Sequence, residues 1–352
     1  MSASALTTLI ERRAFAATRR FDELATFHVP FEKLADRPKA VERRLERVLD
    51  RGGRAAVAAA SGGGKSSVLA ALLHPPPELG KPTYAPIRLG VGGVSDVETL
   101  ADPRALALRA IGDLAAAYLE PDDARSLRQR GALTVNVQGR TEAVRRQLGG
   151  RLGQLSKEIR QASESYDFDR SQGEVLAALA AGVAALRDRG LAPLLLLEDA
   201  DGLLGLRRVA SVDGAVLVEE FFARGLSGVV TELDVPVLIA IQPEYRQTPA
   251  FDKFRRNLLS DVVELPTPKA FTEHGVRLLV SQAMRNAGLT ASPEAVFDPR
   301  AMGTLVAVRY AMETVRQLIS VCDYAVSSAE AAGADFVTES HVAYGISQAG
   351  LG

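Results

Sequence analysis

Lys65 and Ser66 follow three successive glycines, Gly62 to Gly64, and this order of residue types suits a loop that holds a phosphate chain. The glycines let the backbone curl so that several N–H groups converge on one anion. A helix starting directly afterwards adds the partial positive charge of its N-terminus. Lys65 would reach the β- and γ-phosphates of a nucleoside triphosphate, and the Ser66 hydroxyl would ligate Mg²⁺. The run Ala59-Ala60-Ser61-Gly62-Gly63-Gly64-Lys65-Ser66 meets the pattern GxxxxGK[ST] everywhere except at its first position, where Ala59 brings a Cβ into a tight turn. The candidate nucleotide-binding loop is therefore Ala60, Ser61, Gly62, Gly63, Gly64, Lys65, Ser66 and Ser67. A Gly/Ser-rich hairpin turn with a chance lysine is the competing reading. The order of apolar segment (54–60), loop and helix-like segment (67–73) argues against it.

Such a loop needs a partner carboxylate at the end of a neighbouring strand. The stretch Leu194-Leu195-Leu196-Leu197-Glu198-Asp199-Ala200-Asp201 supplies one. By position Glu198 would face the metal, joining Ser66, and Asp199 would activate the attacking water. A one-residue slide of the strand exchanges the roles, because side chains alternate faces. In phosphate-loop ATPases the usual order is aspartate and then glutamate. Here it is reversed, and the shorter Asp199 leads to an expectation of slow hydrolysis. An acidic loop closing a strand is the alternative.

The elements that must position these groups follow from patterning. A helix with an N-terminal signal at Pro38 and apolar Val41, Leu45 and Val48 at helical spacing leads into the loop's strand. After the loop helix come a short strand over 84–89, a helix over 102–118 and an alanine-rich helix over 172–189. The all-apolar run 194–197 reads as a strand buried in the centre of a parallel sheet. A helix containing Val218 to Phe222 and a second buried strand over 235–241 follow. Alternating strands and helices predict a three-layer α/β core with a parallel sheet and right-handed crossovers. Beyond Pro266 the pattern is helical, with helices over 272–287, 306–331 and 338–347. The domain reading is an N-terminal arm or short helix over 1–30, a core over 31–266 and a helical lid over 267–352. A polar helical insertion over about 121–170 interrupts the core. Its basic run (Arg145, Arg146, Arg151, Lys157, Arg160) reads as a solvated helical face in preference to a partner or nucleic-acid contact.

Composition bounds the class. The chain has 352 residues, 47% hydrophobic, with a formal net charge of −1, so a broad attraction to nucleic acid or acidic membranes is not indicated. The single cysteine, Cys322, excludes a disulfide framework and a multi-cysteine metal site. Without a leader pattern or a membrane-spanning run, the expected setting is soluble and cytoplasmic, with no membrane partner. The four histidines (His28, His74, His274, His341) are scattered and receive no catalytic role.

In the order and spacing of these motifs the chain resembles the AAA+ ATPases, in particular the branch of replication initiators, loaders and related signalling ATPases. The resemblance runs from Phe31 to the C-terminus, apart from the insertion. It implies that Gln242, closing the strand VPVLIAIQ, is a polar sensor of the γ-phosphate. It also implies that Arg255 or Arg256 is a finger reaching a neighbouring subunit's site, and that Arg309, in the segment Gly303 to Arg316, is the lid arginine that returns to the nucleotide. The implied cofactors are ATP and Mg²⁺. The implied partners are further copies of the chain in a ring or filament and a protein of unknown identity. The resulting reading is an oligomerising ATPase that remodels or regulates a partner. The alternatives are a slow-hydrolysing ATP-gated switch or scaffold of signalling or defence type, and an ATP-dependent DNA-binding loader or transposition-type regulator. The chain ends soon after the last predicted helix, so the winged-helix module of replication initiators is not expected to follow the lid.

Overall fold

The structure, a computed structural model, describes residues 4–16, 19–36, 40–75, 84–89, 100–130, 133–136, 163–166, 171–198 and 214–351. Their strands are β1 (Arg54–Ala58), β2 (Tyr84–Arg88), β3 (Leu133–Asn136), β4 (Ser163–Tyr166), β5 (Ala192–Leu197), β6 (Val237–Ile241) and β7 (Asp261–Glu264). Five of them form one parallel sheet in the order β2-β5-β6-β1-β7. The leucine run sits inside this sheet for the reason its composition implies. Leu194 and Leu196 pack with Val57, Leu238 and Ala240 on one face, while Leu195 and Leu197 pack with Ala58, Val237 and Ile239 on the other. Both faces are covered by helices, so neither set can be polar.

On the first face lie α4 (Val41–Asp50) and α5 (Lys65–Leu73), and the same hydrophobic cluster continues outward to α1 (Ala5–Glu11), α2 (Phe21–Phe27) and α3 (Phe31–Leu34). On the second lie α6 (Pro103–Tyr118), α7 (Pro121–Arg130), α8 (Gln172–Asp188), α9 (Gly214–Glu220), α10 (Leu226–Glu232) and α11 (Pro249–Leu258). A π-helical turn, Phe221–Gly225, joins α9 to α10, and a Cβ on Gly225 would lie 2.0 Å from the Leu100 carbonyl oxygen. The three-layer α/β expectation therefore holds. Helix starts follow their caps: Asp102 before Pro103 for α6, and a Ser171–Glu174 capping box for α8.

The C-terminal part is helical as expected, with α12 (Glu273–Asn286), α13 (Pro299–Val308), α14 (Val315–Ala331) and α15 (Glu339–Gln348). Its buried side chains, among them Val276, Met284, Leu318 and Val321, join the same hydrophobic cluster as Val68 and Leu69 of α5. This lid is thus packed onto α1, α2 and α3 and through them joined to the core instead of standing apart.

Two expectations need revision and a third is narrowed. The helix predicted over 306–331 is broken. The chain passes through a 3₁₀ turn at Arg309–Ala311 and an extended Met312, and restarts at Thr314, whose side chain accepts from the Gln317 N–H in a capping box. Of the two readings of the N-terminal segment, a short helix or an arm, the helix is present as α1, and it is docked, burying Leu6 and Leu9 and packing against α14. Among the described residues of the polar insertion, α7 is helical, whereas β3 and β4 pair antiparallel, from Leu133 opposite Tyr166 to Asn136 opposite Ser163. The basic run from Arg145 to Arg160 lies outside the described residues.

Candidate functional site

The sheet's crossovers diverge where β6 meets β1. From β1 the chain goes on to β2 at one edge, whereas from β6 it goes on to β7 on the far side of β1. Divergence of this kind leaves a crevice at the C-terminal tips of the strands, the usual ligand position in open α/β sheets. The glycine loop stands at that tip. Ala59 N–H donates to the Ile241 carbonyl at 3.2 Å, which sets the loop beside the end of β6. Gly62 has φ 79° and Gly64 has φ 98°, both in the left-handed region, and Gly64 caps α5. Gly63 is confined differently, since a Cβ there would lie 2.8 Å from the Ala59 Cβ and 3.0 Å from the Ala60 carbonyl oxygen. Ala59 is itself buried at 8% exposure, so its methyl is accommodated and the departure from the motif is not disruptive.

Lys65 is 6% exposed, and its Nζ donates to the carbonyl oxygens of Ala59 at 2.7 Å and Ala60 at 3.1 Å. A buried ammonium satisfied by loop carbonyls is one that phosphate oxygens could recruit with little desolvation. Ser66 lies half-buried in the first turn of α5. The Ser67 hydroxyl points elsewhere: its Oγ is 3.1 Å from His28 Nδ1, and His28 Nε2 is 3.1 Å from Glu42 Oε1. The same Glu42 oxygen accepts from the Phe31 N–H at 2.9 Å. Burial works against the Glu42 charge, but the His28 and Phe31 hydrogen bonds outweigh it and hold the carboxyl below its ordinary value.

Glu198 closes β5, one strand beyond β6 and on the face that carries α5, as the alternation of Leu194 and Leu196 requires. Its Oε1 is 2.7 Å from Arg88 Nε at the tip of β2, close enough for an ion pair but off the hydrogen-bond line. Asp199 lies outside the described residues. Gln242 follows Ile241 at the tip of β6, beside Ala59. Arg255 and Arg256 occupy the last turn of α11, both exposed and paired with Asp252 at 2.7 and 2.8 Å. The Arg255 hydrogen bond and both guanidinium charges hold the Asp252 carboxyl below its ordinary value. Because α11 runs from the tip of β6 back to the start of β7, these arginines lie toward the opposite end of the strands from the glycine loop of their own chain.

The lid reaches the loop through a residue that the sequence reading passed over. Arg316, second in α14, donates its N–H to the Gly62 carbonyl at 3.0 Å, and a Cβ on Gly62 would lie 2.7 Å from the Arg316 Cβ. Arg309 is directed elsewhere. It is 9% exposed, and its guanidinium donates to the carbonyls of Phe271 at 2.8 Å and of Val306 and to the Tyr310 hydroxyl at 2.5 Å. Both arginines fall in the segment Gly303 to Arg316. The signal that separates them is the Thr314-x-x-Gln317 capping box, which starts a new helix with Arg316 in its first turn.

No protein-family model matches the chain, and no curated protein is detectably similar to it. Solved structures are. The Aeropyrum pernix ORC1 protein in complex with DNA superposes with a TM-score of 0.50 at 17% identity, covering 90% of this chain and 65% of that one. The ADP form of the Aeropyrum pernix ORC2 protein gives a TM-score of 0.50 at 13% identity, covering 96% of this chain and 72% of that one. The chain has the fold of these two proteins, the AAA+ fold. It spans about two thirds of the ORC1 chain's length, at 65%. At this level of identity the likeness extends to architecture, that is, a parallel five-stranded core followed by a helical lid.

Within the AAA+ fold the donor set suits the groups expected from the sequence. The positive-φ glycines and the buried Lys65 form a cradle for an anion. A serine hydroxyl and a carboxylate are hard oxygen donors of the kind Mg²⁺ takes in small number when phosphates supply the rest. Among the described residues no group of three or more His, Cys, Asp or Glu could hold a metal by itself, and no helix is long and apolar enough to cross a membrane.

Proposed function

We propose that the chain is an AAA+-type ATPase that binds Mg-ATP between the glycine loop and the lid, and uses the bound nucleotide to assemble with further copies and act on a partner. The observation that carries this reading is the contact of Arg316 with Gly62, which brings a lid cation to the same loop whose Lys65 is buried beneath it. In this reading the loop N–H groups and Lys65 hold the β- and γ-phosphates, Ser66 and Glu198 hold the hydrated metal, and Arg316 bears on the phosphates from the lid side. Bound Mg²⁺ would supply charge neutralisation of the transferring phosphoryl group. Gln242 would orient the attacking water with Asp199, whose carboxylate accepts its proton.

Arg255 and Arg256 are exposed and lie toward the other end of the strands from their own loop, so the site we assign to them is a neighbour's. A guanidinium supplied in this way raises phosphoryl transfer by ~10³ to 10⁵, which makes hydrolysis report assembly. A slower, switch-like use of ATP is the second reading. It is favoured by the Glu198–Arg88 pair, which occupies the metal-facing carboxylate, and by the reversed acidic order. DNA was present in the ORC1 complex, and DNA binding by this chain is a further proposal, to be judged by salt-sensitive, ATP-dependent fluorescence polarisation.

Binding of a fluorescent ATP analogue, ATP turnover and sedimentation with and without nucleotide test the reading together. Lys65→Ala is expected to abolish nucleotide binding, and Asp199→Asn to retain binding and accumulate the ATP-bound assembly. Unaltered nucleotide binding by Lys65→Ala would remove the proposal.

A further inference from the structure

The loop helix α5 and the lid helix α12 are joined by a further route besides the covalent connection after β7 and the Arg316–Gly62 contact. His28 contacts Ser67 in the first turn of α5 at 3.1 Å and is held on its other side by Glu42 of α4 at 3.1 Å. Two residues upstream, the Thr26 carbonyl oxygen accepts from Gln282 Nε2 at 2.8 Å and Asn286 Nδ2 at 3.0 Å, both on α12. The segment between them is the end of α2, which packs along α5 and sets Phe21 edge-on against His74 at 6.4 Å. Upstream again, Phe15 packs edge-on against Phe297 of the lid at 6.2 Å, and α1 packs on α14. Residues 5–16 and 19–31 therefore run from the lid to the loop helix as a strap. Its shortest span, Thr26 to His28, ties the first turn of α5 to α12.

We propose that His28 is a positioning residue that couples the loop helix to the lid, acting through Ser67 on one side and through the Thr26 carbonyl on the other. The inference rests on the nucleotide-binding reading above and deepens it. Occupation of the loop recruits Lys65 and Ser66 in the first turn of α5, and a shift of that turn moves the Ser67 hydroxyl. His28 cannot follow freely, because Glu42 fixes its other nitrogen, so the displacement passes along the backbone to Thr26 and so to Gln282 and Asn286. An imidazole suits the joint, since it offers one polar nitrogen to each partner on a rigid ring. The individual hydrogen bonds are modest, so the coupling lies in their arrangement across two elements.

Hydrogen exchange of the full chain, read in α5 and α12 with and without a non-hydrolysable Mg-ATP analogue, tests the coupling, with a fluorescent analogue monitoring occupancy. In the native protein the analogue should slow exchange in both helices. At saturating analogue, His28→Ala and the pair Gln282→Ala/Asn286→Ala should keep the slowing in α5 and lose at least half of it in α12, while His28→Gln, whose amide can also face both partners, should restore most of it. The lid-side pair lies on the surface and guards against a folding defect in His28→Ala. A native response of α12 in both variants, or no response of α12 in a native protein that binds the analogue, overturns the coupling. Failure of the native protein to bind the analogue overturns the nucleotide reading instead.

Discussion

The backbone N–H of Arg316 donates to the carbonyl of Gly62 at 3.0 Å, so the first turn of a lid helix rests on the glycine loop of the core. By contrast, Arg309, seven positions earlier, is anchored on the Phe271 and Val306 carbonyls. Replacing each arginine should therefore give different outcomes. Arg316→Ala should leave thermal stability close to native and weaken binding of an ATP analogue by about tenfold, the worth of one charge-assisted hydrogen bond. Arg309→Ala should leave buried carbonyls without donors and lower the unfolding free energy by about 1–3 kcal/mol. Denaturant titrations beside analogue titrations distinguish the two, and an exchange of these phenotypes would reverse the assignment.

The loop glycines should tolerate substitution unequally. Gly64→Ala places a Cβ on a residue at φ 98°, which costs about 1–3 kcal/mol of backbone strain. Gly62→Ala adds to its own φ of 79° a collision 2.7 Å from the Arg316 Cβ. It should loosen the lid as well as the loop, seen as faster proteolysis within 312–331 in Gly62→Ala than in Gly64→Ala.

Arg88 and Glu198 are both partly exposed, with side chains 41% and 26% accessible, so their pairing contributes at most about 1 kcal/mol to stability. Its larger effect would be on the metal, since a guanidinium beside a carboxylate opposes a divalent cation there. Arg88→Gln should melt within a few degrees of the native protein and reach half-maximal nucleotide binding at a lower Mg²⁺ concentration. The same Mg²⁺ dependence in both would separate Glu198 from the metal.

Glu42 sets a pH dependence of defined sign. Its carboxyl titrates below the ordinary value in the folded chain, so it adds stability above the ordinary carboxylate range and loses that contribution as pH falls through the lowered value. The stability difference between the native protein and Glu42→Gln should be largest at neutral pH and shrink below about pH 4. A difference that grew on acidification would contradict the hydrogen-bond arrangement around His28.

Much of the core was legible because local patterns decide it. The apolar run 194–197 and the Gly62 to Gly64 turn each act over a few positions, and the elements they announce are present. The break at Met312 was missed because apolar spacing continues across it. Only the Thr314 and Gln317 pair marks the restart, and a capping box is a weaker signal than a long hydrophobic period. The docking of α1 was not legible either, since seven residues with two buried leucines carry too little periodicity to distinguish a docked helix from a free one.

From the residue order alone came the class of fold, the glycine turn and the strand whose end carries the acids, because these depend on backbone freedom and on hydrophobic spacing between near neighbours. Which arginine meets the loop, what Glu198 and Ser67 touch, and how the N-terminal segment joins lid to core were decided by tertiary packing. Each depends on residues up to about 260 positions apart, as between Thr26 and Asn286, and no local preference specifies which distant side chain fills a given space.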